Sequence, residues 1–167
     1  GTKLKTIDAS EFTGNLALTA AAVDLNLKTG SGADTLTFGT TLTVADVIDA
    51  GSNPSSTSID TLTATINELG TSAAPVALQI ANVETITLNT ATNASFLDSS
   101  KITGATTIQI ENDQNVTLSN LAAGVNLMLG TDTAGALDEY SGTLDVALAD
   151  ETGSADTLTV KLSKQGT

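Results

Sequence analysis

The sequence predicts an all-β chain folded as a parallel β-solenoid, a β-roll-like stack of short strands. Three observations carry that prediction. Short segments alternate apolar and polar residues with period two, and Asp, Asn, Gly or Ser separates them. The tetrapeptide Asp-Thr-Leu-Thr recurs at Asp34, Asp60 and Asp156, each time opening a strand after a polar turn. The aromatic residues are only Phe12, Phe38, Phe96 and Tyr140, with no Trp. Without large rings a core cannot be thick, and thin coils carrying stacked aliphatic ladders need no thick core. No run of helical length shows helical periodicity. Uneven spacing between the segments keeps a β-sandwich as the alternative.

Along the chain, Ile7 leads into Asp8-Ala9-Ser10-Glu11-Phe12, read as a single turn capped by Asp8 or Ser10. Leu16 and Leu18 alternate with small polar neighbours, and Val23, Leu25 and Leu27 alternate with Asp24, Asn26 and Lys28. A glycine-rich turn, Gly30 to Asp34, precedes a strand from Thr35 to Phe38. Thr40 to Val44 reads as a short strand and Ala45 to Asp49 as one helical turn. Pro54 to Ser58 reads as a loop insertion, which costs little. Further strands are expected at 61–69, 76–80, 84–89, 107–111, 116–118, 125–129 and 144–148. Ile7 to Gly14 (IDASEFTG) and Leu97 to Gly104 (LDSSKITG) share four of eight residues at an offset of 90. The chain is therefore read as one domain, 1–167, with two related sub-units at 1–90 and 91–167.

Charge and composition narrow the function. The net charge is −13, the six basic residues are all Lys, and His and Cys are absent. Phosphate recognition leans on Lys and Arg, so nucleic acid is not an expected partner, and an anionic membrane surface is equally unsuited. Disulfides are ruled out, and so is any catalytic system needing Cys or His. No apolar run is long enough to span a bilayer. Paired carboxylates could cleave glycosides, yet the aromatic platforms and the Arg or His of sugar enzymes are nearly missing. No serine sits in a nucleophile elbow. A non-enzyme is expected. Asp outnumbers Glu by 13 to 6, which suits both turns and hard cations. The start at Gly1 and the abrupt Lys-Gln-Gly-Thr end read as a fragment of a longer chain.

Thr29 to Thr37 reads T-G-S-G-A-D-T-L-T, one glycine short of the calcium-binding nonapeptide G-G-x-G-x-D-x-U-x of solenoid repeats. Glycines permit the turn, and the aspartate offers the hard oxygen that calcium prefers. Asp49-Ala50-Gly51-Ser52-Asn53 starts a second such unit, which Ile59-Asp60-Thr61-Leu62-Thr63 resumes. Thr152 to Thr159 is a worn third copy. Candidate metal residues are thus Gly30, Gly32, Asp34, Asp49, Gly51, Asn53, Asp60 and Asp156, for one to three Ca²⁺ ions. A tight hairpin turn at Gly30 to Asp34 is the plainer reading. Thr-x-Thr pairs at Thr35/Thr37, Thr61/Thr63, Thr85/Thr87 and Thr157/Thr159 are of a kind that binds ice in some solenoids. Their irregular intervals argue against a lattice match, and outward Thr is common in strands.

Taken together, GSGADTLTFG, ADVIDAGSN…IDTLTATI, IANVETITL and the twin IDASEFTG/LDSSKITG resemble the C-terminal region of bacterial surface-layer proteins that leave the cell by type I secretion. Adhesins and toxins with calcium-binding repeats share the first phrase. The resemblance implies an extracellular, cell-surface structural protein. Calcium would sit at its solenoid turns, and copies would associate into a lattice. A ligand-binding adhesin module that contacts cell-surface polysaccharide is the second reading.

Overall fold

In the computed structural model of the chain, the residues described are 4–21, 23–53, 55–91, 95–111, 114–130, 142–150, 152 and 157–162. They form strands and turns, with no helix among them. The first three coils hold β1 (Thr6–Asp8) and β2 (Ala17–Thr19), β3 (Asn26–Lys28) and β4 (Thr35–Gly39), then β5 (Val47–Asp49) and β6 (Thr61–Ile66). The next two are three-stranded: β7 (Val76–Ala77), β8 (Gln79–Ala81) and β9 (Thr85–Thr90), then β10 (Ser95–Asp98), β11 (Ile102–Thr103) and β12 (Thr107–Ile110). Two more follow with β13 (Val116–Leu121) and β14 (Asn126–Leu129), then β15 (Leu144–Leu148) and β16 (Thr159–Leu162).

Every named strand pairs in parallel with the equivalent strand of an adjacent coil, so the molecule is a β-solenoid. One wall is a seven-stranded sheet, β2-β4-β6-β9-β12-β14-β16, running the length of the stack. The facing wall changes along the way. A five-stranded sheet, β1-β3-β5-β8-β11, covers the first coils, and a four-stranded sheet, β7-β10-β13-β15, covers the later ones. The two overlap where Leu78 alone separates β7 from β8. The long sheet passes residue 90 in unbroken register from β9 to β12.

The alternation read from the sequence becomes side-chain ladders. Leu18, Leu36, Leu62, Ile86, Ile108 and Leu127 are successive register partners down the long sheet. Ile7, Leu27, Ile48, Ile80 and Ile102 form the matching ladder opposite. Leu27, Leu36, Leu62 and Ile86 are completely buried. Burial of one such side chain is worth roughly 1.5–3 kcal/mol, so the stack is held by many equal, thin layers. Phe38 is the largest side chain in that core.

Uneven spacing, the argument for a sandwich, is absorbed by the loops. Ala17 pairs with Thr35 and Thr35 with Thr61, so one coil takes 18 residues and the next 26. Of the eight extra residues, five fall between the starts of β5 and β6 and three between the starts of β4 and β5. Two local expectations are corrected. The segment 40–44 is a turn, because Thr41 N–H donates to the Phe38 carbonyl and Thr43 N–H to the Asp46 carboxylate. Instead of a helical turn over 45–49, Val47–Asp49 is β5, because Ile48 extends the ladder between Leu27 and Ile80. At Asp8 the turn is made by its own carboxylate, which accepts the Ser10 N–H two residues on. Asp98 does the same with Ser100. The repeated IDASEFTG/LDSSKITG segment is thus a repeated corner: Phe12 N–H bonds the Ala9 carbonyl, and Ile102 N–H bonds that of Ser99.

Candidate functional site

Strand register brings the residues just before β4, β6 and β9 together. Thr35, Thr61 and Thr85 are successive partners, so Asp34, Asp60 and Glu84 stack along the solenoid axis. The hydrogen bonds link them hand to hand. Asp34 Oδ1 accepts Leu16 N–H at 2.8 Å. Asp34 N–H donates to Asp60 Oδ1 at 2.7 Å, and Asp60 N–H donates to Glu84 Oε2 at 2.7 Å. Each carboxylate therefore satisfies a backbone N–H belonging to the coil before it. Charge-assisted bonds of this kind are among the strong ones, and they clamp four coils at one corner.

The clamp leaves oxygen atoms over. Asp34 and Asp60 are both completely buried. Asp34 Oδ2 and Asn53 Oδ1 are buried without any hydrogen-bond partner. Asn53 stands beside Asp60, donating from Nδ2 to Asp60 Oδ2 at 3.0 Å. Asp34, Asn53 and Asp60, three of the residues picked from the sequence, are thus brought to one corner. Their donors are carboxylate and amide oxygens, the type a hard cation takes. Among the described residues no three acidic side chains form a ready metal cluster. Calcium takes roughly six to eight oxygens, so protein side chains here supply part of a shell.

The other candidates have structural work of their own. A side chain at Gly30 would collide with the Phe12 carbonyl, one at Gly32 with that of Gly14, and one at Gly51 with that of Gly30. These glycines let the turns of neighbouring coils touch backbone to backbone, and the strands flanking Gly30, β3 and β4, belong to different sheets, so the turn is no hairpin. Asp49 Oδ1 is occupied by Gly51 N–H and by Asn82 Nδ2. Asp156 lies outside the described residues. Glu84 joins this column without being one of the candidates picked from the sequence. Its signal was present in Glu84-Thr85-Ile86-Thr87, a conservative copy of Asp-Thr-Leu-Thr. Asp46, likewise not one of those candidates, bonds the N–H groups of Leu25 and Thr43.

Burial holds the Asp60 carboxyl up at about 6, against the pull of hydrogen bonds from Asp34 and Asn53 and with help from the nearby charges of Glu84 and Asp34. The unfolded value is 3.8. Between those two values the folded chain holds a proton that the unfolded chain has released. Stability therefore falls as pH rises from about 4 to about 6 and levels off above that. In chelator, the urea midpoint is expected to drop over this window, and Asp60→Asn is expected to flatten the drop. An unchanged slope in that variant would show that Asp60 does not titrate there. Asp8, Asp98 and Asp150 are shifted the other way. Hydrogen bonds from Ser10 and Thr152 lower Asp8 and Asp150; at Asp98 burial pulls upward, but bonds from Asn120 and Ser100 outweigh it. Their contributions are lost only at lower pH.

No protein-family model, curated protein or solved structure matches this chain.

Proposed function

We propose that this chain is a structural module of a bacterial surface layer, stapled by calcium and assembling with copies of itself outside the cell. The observation that supports this reading is the acidic column, buried at Asp34 and Asp60. Asp34, Asp60 and Glu84 lie one above another, and two buried oxygens, Asp34 Oδ2 and Asn53 Oδ1, lack partners. Asp34, Asp60 and Asn53 are the residues that would hold the ion, with Glu84 next in the column. When bound, calcium supplies positive charge that offsets the repulsion between these carboxylates. Without such compensation the same residues oppose the stacking that their hydrogen bonds favour, so the chain is loose where calcium is scarce and rigid where it is plentiful. Copies would meet through strand faces and acidic loops. The first coil adds an apolar cleft of about 620 Å³, lined by Leu4, Ile7, Leu18, Val23 and Leu25, where a further coil could continue the ladders.

Melting in calcium against chelator tests the staple. A ligand at a hundred times its dissociation constant raises the midpoint of a chain this size by roughly 5–10 °C. Asp34→Asn with Asp60→Asn is expected to remove the shift. Equal midpoints in calcium and chelator would sink the calcium part. Electron microscopy of the same samples tests assembly: ordered sheets in calcium support the lattice, whereas discrete monomers that bind a cell-surface polysaccharide would support the adhesin reading instead.

A further inference from the structure

The Thr-x-Thr pairs, irregular in sequence, are regular in space. Thr35, Thr61, Thr85 and Thr107 are consecutive register partners on β4, β6, β9 and β12. Thr19, Thr37, Thr63 and Thr87 are consecutive partners on β2, β4, β6 and β9. Loops of different length between the strands absorb every irregularity in spacing, and no bulge interrupts these rows. Eight threonines thus form two parallel columns on the outer face of the long sheet, opposite the buried Leu36, Leu62 and Ile86. Neighbours along a column are ~4.8 Å apart and those across it ~6.6 Å, from strand geometry. The pair at Thr157/Thr159 does not complete a row: Thr159 reaches the first column, but Lys161 occupies the second.

We infer that this face binds ice. Ice is a fixed two-dimensional array of hydrogen-bonding oxygens at any one surface. A protein face that adheres to it must be repetitive, rigid and free of charges, which hold hydration shells of their own. All three conditions are met here. The repeat is set by main-chain ladders. The β-branched threonine has few side-chain rotamers, so methyl and hydroxyl keep fixed directions. No charged side chain enters either column from β2 to β12, although the chain carries a net charge of −13. Of these eight threonines only Thr61 and Thr35 hydrogen-bond through their side chains to described residues, Thr61 Oγ1 to the Asp34 carbonyl at 3.4 Å and to Thr35 Oγ1 at 3.5 Å. The hydroxyls of Thr37, Thr63, Thr85 and Thr87 are left to ordered water, which bridges nearly as well as a direct bond. A polysaccharide surface is the poorer fit, because flat sugars are bound on aromatic platforms, and Phe12, Phe38 and Phe96 all lie off this face.

The test uses the full chain in calcium buffer, scored by inhibition of ice recrystallisation and by partition into a slowly grown ice shell. The chain is expected to enter the ice and to hold crystal size down. Thr63→Lys places a charge at the centre of the array and is expected to need about tenfold more protein for the same effect, as for a disrupted interface centre. Val47→Lys, on the exposed face of the five-stranded sheet, is expected to change nothing. Circular dichroism melts verify that each variant folds. Thr63→Ser, which removes one methyl and loosens one rotamer, serves if the lysine variant does not fold, and is expected to weaken inhibition by a smaller factor. Exclusion of the chain from ice would overturn the inference. Equal losses in Thr63→Lys and Val47→Lys would also overturn it, as would binding to insoluble polysaccharide without any effect on ice.

Discussion

Gly30→Ala is expected to destabilise the chain by about 3 kcal/mol, the upper end of the range for forced overpacking. The reason lies in how solenoid turns stack. The Gly30 turn lies directly against the preceding one, and Ser31 N–H donates to the Phe12 carbonyl at 3.0 Å. An added Cβ points into that same carbonyl. Phe12 O is a backbone atom, so no rotamer change can clear the space; the coils must separate. Gly51 repeats the arrangement one coil on, at φ +80°, with its Cβ position against the Gly30 carbonyl. Gly39 is the comparison. It also has a positive φ, +52°, but nothing lies near its Cβ position. Gly39→Ala bears only the left-handed backbone cost, about 1–2 kcal/mol. Urea denaturation of the three variants separates close approach from backbone strain. Equal losses at Gly30 and Gly39 would show that the turns are not in tight contact. Because the effect is steric, it is expected to persist in chelator, which distinguishes these glycines from residues acting through a bound ion.

Much of this architecture is legible in the sequence because a solenoid is built locally. The alternation in Val23 to Lys28 and in Thr35 to Phe38 identifies strands with one wet face, and the scarcity of aromatics identifies a thin core. Register is what the sequence hides. Nothing in a spacing of 18 residues followed by one of 26 says that Thr35 and Thr61 are neighbours; only the stacking of Leu36 on Leu62 makes them so. The misread segment 40–44 shows the same limit. Thr-Thr-Leu-Thr-Val has strand composition, but Asp46 captures the Thr43 N–H and turns the chain into β5. At the acidic corner, the sequence marks Asp34 and Asp60 by their shared tetrapeptide. It does not reveal that each carboxylate caps the coil before it, nor that Glu84 continues the column. Both depend on which turns are superposed. The threonine array is the clearest case: its irregular intervals in sequence become two ordered columns once the loops have taken up the difference.

Ile86→Ala is expected to be the other severe substitution, costing about 2–5 kcal/mol, the usual range for removing a buried aliphatic side chain. Ile86 is completely buried. It is the register partner of Leu62 on one side and Ile108 on the other. A solenoid coil is supported only by its two neighbours, so a cavity here weakens two interfaces at once. Leu18 gives the contrast. It is half-buried and has a named ladder partner on one side, Leu36. Leu18→Ala is expected to cost about 1 kcal/mol, in keeping with partial burial. The two variants also differ in where protection is lost. Hydrogen exchange in Ile86→Ala is expected to accelerate in β6, β9 and β12 together, and in Leu18→Ala at β2 and β4 alone. Uniform acceleration along the whole chain in both variants would mean that the stack unfolds as one cooperative block. Coupling that extends only to adjacent coils would mean that each ladder contact is a local bond in a one-dimensional array. The second outcome follows from a core this thin, in which, among the described residues, strand pairing runs only between adjacent coils.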